Sequence, residues 1–226
     1  MTADEAPAAR RGRPPRRDFT AATHPGLPIE DPLETLPPSA RWVLQCARRI
    51  LVEKGFPALT LENVALESRE SKASIQRYFG SKSGLIEVLF DSLVHDTYSA
   101  LKAETESLPP GEERIHTYLR GLYDIVGDID ATRGFFEIAP HALRDPELRA
   151  RFARLYVWHR DLTSSTCGLD SVALSAEKRK ALAAMILAAL DGLAYQVALD
   201  ADAVDVNAVF ELLFGFIHDA LQHPAG

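Results

Sequence analysis

The stretch TLENVALESRESKASIQRYFGSKSGL, residues 60–85, contains two short helical patterns separated by a polar break. Thr60 is a suitable N-cap for the first pattern, Leu61 to about Glu67, and the second runs from about Ser71 to Tyr78. Helices of about seven residues are too short to be stable alone and need a third helix with a shared core. This arrangement predicts a helix-turn-helix, whose second short helix enters the major groove of DNA.

The third helix lies directly upstream of these two. Pro37-Pro38 ends a segment without apolar periodicity, and Ser39 is a candidate N-cap. From about Ala40 to Lys54, apolar residues recur with helical spacing and form one stripe, and Gly55 ends the pattern. The stripe consists of Val43, Ala47, Ile50 and Leu51.

The rest of the chain also has helical patterns, and no stretch alternates as a strand does. Breaks are expected at Gly134 to Pro140 and at Asp145-Pro146, among others. A long helix to about Ser107 is followed by helices near 112–129, 131–142, 146–167, 175–200 and 205–222. We therefore predict an all-α protein of about nine helices. It would comprise a basic arm and linker (1–38), a helix-turn-helix DNA-binding domain (39–84) and a helical effector-binding and dimerisation domain (85–226).

The distribution of charge limits where nucleic acid can bind. The 226 residues carry a net charge of −7, yet residues 1–87 sum to +2 and the remainder to −9. Because DNA phosphates repel an acidic body, contact with DNA should be confined to the N-terminal part. The chain shows neither a secretory signal nor an apolar run of about 18 residues, so we expect a cytoplasmic protein without membrane contact. Cys46 and Cys167 are too few for a disulfide framework, and Cys46 fits a core position.

The second short helix presents side chains suited to DNA. Its outward positions are Lys72, Ala73, Ser74, Gln76 and Arg77. Arginine and lysine suit guanine edges or phosphates, glutamine suits adenine, and small residues permit close approach. Glu70 is the one acidic residue expected nearby.

Residues 55–85, ending in Tyr78-Phe79-Gly80-Ser81-Lys82-Ser83-Gly84-Leu85, resemble the signature of the tetracycline-repressor (TetR) family. The resemblance implies a DNA-binding regulator. It places Ser74, Gln76 and Arg77 on bases and phosphates, Tyr78 and Lys82 on phosphates, and Thr60 at a cap and contact before the first short helix. A core position is an equal alternative for Tyr78. Lys82 also lies at a helix N-terminus, where free N–H groups help to bind phosphate.

Three positions depart from the family pattern. Arg69 and Glu70 replace the usual turn glycine and the apolar residue after it, and Gln76 replaces a common tyrosine. If Arg69 adopts the left-handed conformation, it costs about 1 kcal/mol.

A basic arm precedes the three helices. Residues 10–17 include Arg11-Gly12-Arg13-Pro14, similar to a minor-groove AT-hook in which arginines enter a narrow A·T-rich groove. Arg11 and Arg13 are therefore candidate DNA contacts. A disordered solubilising tail is the alternative.

The last two predicted helices are apolar on most sides, so they must bury two faces. Pairing with a second copy as a four-helix bundle does this, as in the family, and would set two recognition helices about 34–36 Å apart. A wholly internal helix pair is the alternative. The candidate dimer residues are Ile186, Leu190, Leu193, Val209, Leu213, Phe216 and Ile217.

The resemblance also implies an effector pocket among helices four to eight, with helix four as the lever that moves the recognition helices. A small-molecule site needs apolar walls with a few polar groups, although each aromatic side chain could equally belong to the core. We expect a largely apolar small molecule. Candidate lining residues are Tyr98, Tyr123, Phe136, Trp158, His159, Asp191 and Tyr195.

No phosphate loop, His-Glu-x-x-His or Cys-x-x-Cys pattern is present, so we expect no catalysis, metal or cofactor. The sequence predicts a dimeric repressor that binds a palindromic operator and is released by a small molecule. The residues do not distinguish a repressor from an activator. The alternative is a TetR-like lipid- or small-molecule-binding protein that does not bind DNA.

Overall fold

The computed structural model describes residues 31–171, 174–202 and 204–223, except for the side chains of 129–131 and 171. This part of the chain contains nine α-helices and no strand, which confirms the predicted all-α fold. Two short 3-10 turns, Phe56–Ala58 and Leu169–Ser171, connect α1 to α2 and α7 to α8. The helices are α1 Pro38–Lys54, α2 Leu61–Ser68, α3 Lys72–Phe79, α4 Lys82–Ser107, α5 Glu112–Gly127, α6 Ile129–Ala142, α7 Pro146–Thr166, α8 Ala176–Leu199 and α9 Val206–Gln222.

Hydroxyl caps set the start of three helices in the N-terminal part. Oγ1 of Thr60 accepts a hydrogen bond from the backbone of α2 at 3.1 Å, and the hydroxyls of Ser71 and Ser81 do the same for α3 and α4. The prediction that Ser39 caps α1 is wrong. The helix begins one residue earlier at Pro38, whose fixed φ and missing N–H suit the first helical position.

The predicted break between Gly134 and Pro140 is also wrong, because α6 continues through both residues. A Cβ on Gly134 would lie 3.1 Å from Cδ1 of Leu93, so the glycine lets α6 pack closely on α4. Tertiary packing therefore maintains a helix that local propensity disfavours.

The core of the helix-turn-helix continues into the rest of the protein. Apolar side chains of α1 to α4 form one buried cluster with Ile138 of α6 and with Leu148 and Phe152 of α7. A second cluster joins α5, α7, α8 and α9 with Leu101 near the end of α4. Helix α4 contributes to both clusters, so it links the N-terminal helices mechanically to the body.

Among the described helices, α8 is long and apolar enough to cross a membrane by length and composition, with a mean hydropathy of 1.8. In this fold it packs instead against α5, α6 and α7. The most apolar 18-residue stretch of α8 is 39% buried, because one side of the helix faces the core and the other lies on the surface.

Candidate DNA-binding surface and ligand cavity

Helix α3 has one buried face and one exposed face. Ile75 is fully buried and Phe79 is 7% exposed, which anchors the helix on the core. Lys72, Gln76 and Arg77 are exposed on the other side, as the sequence predicted. The hydroxyl of Ser74 bonds to that of the cap Ser71 at 3.0 Å, so Ser74 lies at the helix start.

Arg77 and Tyr78 form a pair beside this surface. Nη2 of Arg77 donates to the Tyr78 hydroxyl at 3.3 Å, and the guanidinium carbon lies 5.1 Å from the ring centroid. Tyr78 is half-buried and packs edge-on against Phe79. Its ring therefore belongs partly to the core while its hydroxyl lies beside Arg77, so the phosphate role stays a prediction.

Lys82 is the first residue of α4, where the backbone N–H groups of the helix start are concentrated. Its ammonium lies 5.4 Å from the ring centroid of Phe56. Phe56 was absent from the sequence prediction, because the contact joins residues 26 positions apart and follows no local pattern.

A second acidic residue lies on this surface, in contrast to the expectation that Glu70 is alone there. Glu62 forms an ion pair with Lys72 across the turn between α2 and α3. The hydrogen bond from Lys72 is the main cause that lowers the pKa of Glu62, and the charge of Lys82 contributes. Glu62 therefore offsets the positive charge of Lys72, one of the candidate DNA-contacting residues.

The turn between the two short helices has a strained residue at its start. Arg69 ends α2 with φ 58° and ψ 26°, in the left-handed region. Arg69, which stands where the family usually has a turn glycine, therefore does adopt the left-handed conformation. Glycine adopts this conformation without a steric cost. Arg11 and Arg13 lie outside the described residues.

A cavity of about 60 Å³ lies among α4, α5, α6, α7 and α8. Four of the seven predicted lining residues do line it, namely Tyr98, Phe136, His159 and Asp191. The wall includes further side chains that were not among these seven, namely Leu93, Val94, Thr97, Leu122, Ile125, Val126, Thr132, Phe135, Leu190 and Ala194.

The other three predicted residues do not line this cavity. Trp158 is buried behind Tyr98, with ring centroids 5.8 Å apart. Tyr123 packs on Phe210 of α9, and Tyr195 is 53% exposed with one edge on Phe136. The prediction that these three residues line the cavity is wrong, because helical spacing does not distinguish a side chain on the cavity wall from one behind it.

The polar groups of the cavity are few, and they are buried or half-buried. The Tyr156 hydroxyl donates to Oδ2 of Asp191 at 2.6 Å, while burial raises the pKa of that carboxyl. Burial also lowers the pKa of His159 to about 3, so the imidazole is neutral at physiological pH. Its Nε2 has no hydrogen-bond partner among the described residues. A half-buried carboxylate and an unpaired ring nitrogen are groups that a polar ligand can satisfy.

The predicted dimer residues fall on two sides of α8 and α9. Ile186, Leu190, Leu193 and Ile217 are between 1% and 6% exposed and belong to the core of the protomer itself. The prediction is wrong for these four, because a second copy cannot reach them. Val209 and Leu213 are half-buried, and Phe216 is 44% exposed.

A three-helix unit with a basic exposed face, joined by α4 to an acidic helical body with a small cavity, defines a helix-turn-helix transcription regulator. Comparisons with known proteins specify the family. The profile described as bacterial regulatory proteins of the tetR family matches residues 43–89, and that of the C-terminal part of BetI-type transcriptional repressors matches 111–222. The chain belongs to the TetR family of transcriptional regulators.

Relatives and solved structures agree with this assignment. The HTH-type transcriptional regulator BetI of Burkholderia cenocepacia is 25% identical over 178 residues, which span 77% of this chain and 90% of that one. A transcriptional regulator from Pseudomonas aeruginosa PAO1 superposes with a TM-score of 0.71 at 14% identity, covering 84% of this chain and 97% of its own. A regulator from Saccharomonospora viridis, solved in complex with choline, gives 0.62 at 19% identity, with 82% and 96% covered.

Proposed function

We propose that the chain acts in the cytoplasm as a homodimeric repressor, which binds a palindromic operator and releases it when a small molecule occupies the cavity. In this proposal residues 39–84 read DNA, and residues 85–226 bind the effector and form the dimer. The exposed face of α3, with Lys72, Gln76 and Arg77 above a buried Ile75, is the observation that carries it. A lipid carrier that does not bind DNA is not favoured, because a cavity of about 60 Å³ is too small for an acyl chain.

The dimer surface we propose is the outer face of α8 and α9. The exposed side chains there include Met185, Tyr195, Leu199, Leu212 and Phe216, between 44% and 75% exposed. Small residues lie between them on α8, at Ala181, Ala184, Ala188 and Gly192. An exposed apolar face with small residues is suited to close packing with a second copy, as in a four-helix bundle.

We propose a small cation with an apolar surface as the effector. The Asp191 carboxylate is the anionic group on an aromatic wall, and aromatic rings with a carboxylate favour cations such as quaternary ammonium groups. At about 10–15 Å³ per water position, the cavity of about 60 Å³ admits roughly four to six waters, which limits the effector to a small molecule. The choline complex of one structural neighbour supports the same class.

DNA recognition is tested by selecting binding sites from random duplexes and then measuring Arg77→Ala and Lys82→Ala by fluorescence anisotropy. We expect Arg77→Ala to cost about 1–3 kcal/mol and to relax specificity, whereas Lys82→Ala weakens all sequences alike and lowers the salt slope by about 1. Arg133→Ala, an exposed arginine of α6, is the control. If the purified protein binds no duplex at low salt, the proposal is refuted.

The dimer and effector parts have separate tests. Phe216→Glu should convert a dimer to a monomer in sedimentation experiments, and an unchanged dimer would exclude this surface. Choline chloride, used as the probe cation, should weaken operator binding in the parent but not in Asp191→Asn. Equal weakening in both proteins would show that the carboxylate does not hold the cation.

A further inference from the structure

Phe56 connects the DNA-reading helices to α6 of the body. It opens the 3-10 turn between α1 and α2, and its backbone N–H donates to Oε2 of Glu137 at 2.9 Å. Its ring stacks on the imidazole of His141, with centroids 3.7 Å apart and planes inclined by 18°. Glu137 and His141 lie one turn apart on α6, so a single helix contacts this residue twice.

The same ring contacts Lys82, the candidate phosphate-binding residue. The ammonium lies 5.4 Å from the ring centroid, within the range of a cation–π interaction. A free lysine side chain samples many rotamers and loses conformational entropy when it is held in one place. Contact with an aromatic face restricts the ammonium before DNA arrives, which reduces that loss on binding.

Helix α6 also forms part of the cavity wall. Thr132, Phe135 and Phe136 line the cavity, and Phe136 directly precedes Glu137. Glu137 follows Phe136 directly and His141 lies one turn further along the same helix, so a shift of α6 at the cavity wall also moves these two residues. A groove of about 610 Å³, bordered by Phe56, His141 and the start of α7, provides room for such a shift.

We infer that Phe56 is a positioning residue for the phosphate contact of Lys82, and that α6 transmits the state of the cavity to it. This inference rests on the proposed DNA-binding function. It adds a second route to that of α4, which begins at Lys82 and lines the cavity with Leu93, Val94, Thr97 and Tyr98. Both routes end at the same lysine, so a small motion at either helix changes one DNA contact.

The positioning role is tested by a double-mutant cycle in the full-length protein, measured as duplex affinity at several salt concentrations. Phe56→Leu should weaken binding about two- to fivefold in the parent. In the Lys82→Ala background it should weaken binding no further, since the group it positions is gone. Thermal unfolding of each variant shows whether it is folded. Costs that add in the cycle would overturn the inference.

The role of α6 is tested by His141→Leu, which leaves Phe56 in place but removes its stacking partner. It should reproduce the loss seen with Phe56→Leu, again only while Lys82 is present. The matched control is His116→Leu, because His116 stacks on Phe214 at 3.8 Å in the α5–α9 contact, away from α3. Equal losses in both histidine variants would overturn the role of α6.

Coupling to the cavity is tested without an effector by Ala194→Leu, which fills the cavity from α8. We expect it to change DNA affinity about fivefold or more in the parent and much less in His141→Leu. No change in the parent, or the same change in both, would overturn transmission through α6. A parent protein that binds no duplex would instead refute the proposed function itself.

Discussion

The left-handed Arg69 supports a quantitative prediction about stability. Among the non-glycine residues that the structure describes, only this one has a positive φ. In that conformation the Cβ of an L-residue approaches the following carbonyl oxygen, at a cost of roughly 1–2 kcal/mol. We expect Arg69→Gly to remove this cost while keeping the turn that separates α2 from α3.

The expected gain is smaller than the full strain. Glycine loses more backbone freedom on folding, about 0.5–1 kcal/mol. Arg69→Ala is the matched reference, because it also removes the guanidinium but keeps the Cβ. The glycine variant should therefore be more stable than the alanine variant by about 0.5–1 kcal/mol. In a chain of this size such a difference raises the Tm by about 1–4 °C.

The measurement is equilibrium unfolding in urea, followed by circular dichroism at matched protein concentrations because the stability of a dimer depends on concentration. The urea midpoints of the two variants are compared on the condition that their unfolding free energies fall with urea concentration at the same slope. An Arg69→Gly protein that unfolds at or below the midpoint of Arg69→Ala would show that the left-handed turn stores no strain.

Three further predictions concern charge. Glu62→Gln should tighten duplex binding and steepen its salt dependence, since Lys72 is then free to contact phosphate; unchanged anisotropy curves would contradict this. Burial raises the pKa of the Asp191 carboxyl in the folded protein, so protonation of this carboxyl favours folding. The resulting stability is fully present below the ordinary carboxyl pKa and is lost as the pH rises through the raised pKa of the folded state. Asp191→Asn should thus be more stable than the parent at neutral pH, with a gap in urea midpoint that closes on acidification. Arg151→Met should cost roughly 3 kcal/mol, because it leaves Glu87 and Asp91 without the buried guanidinium that bonds both; a loss under 1 kcal/mol in urea unfolding would disprove that role.

Elements with a local cause could be predicted from the residues alone. Helix boundaries followed from hydroxyl caps such as Thr60 and from apolar periodicity, as in the fully buried stripe of α1. The exposed face of α3 followed from the same periodicity, because Ile75 and Phe79 leave only one side for Gln76 and Arg77. The resemblance of residues 55–85 then identified the family.

Which faces of α8 and α9 point inward depends on how the helices pack against one another. Both helices are apolar on most sides, so no periodicity separates Ile186, which is buried, from Met185, which is 56% exposed. The cavity wall and the contact of Phe56 with α6 were likewise beyond the sequence. They join residues that are far apart along the chain, and pairing of this kind is set by how whole helices pack rather than by local spacing.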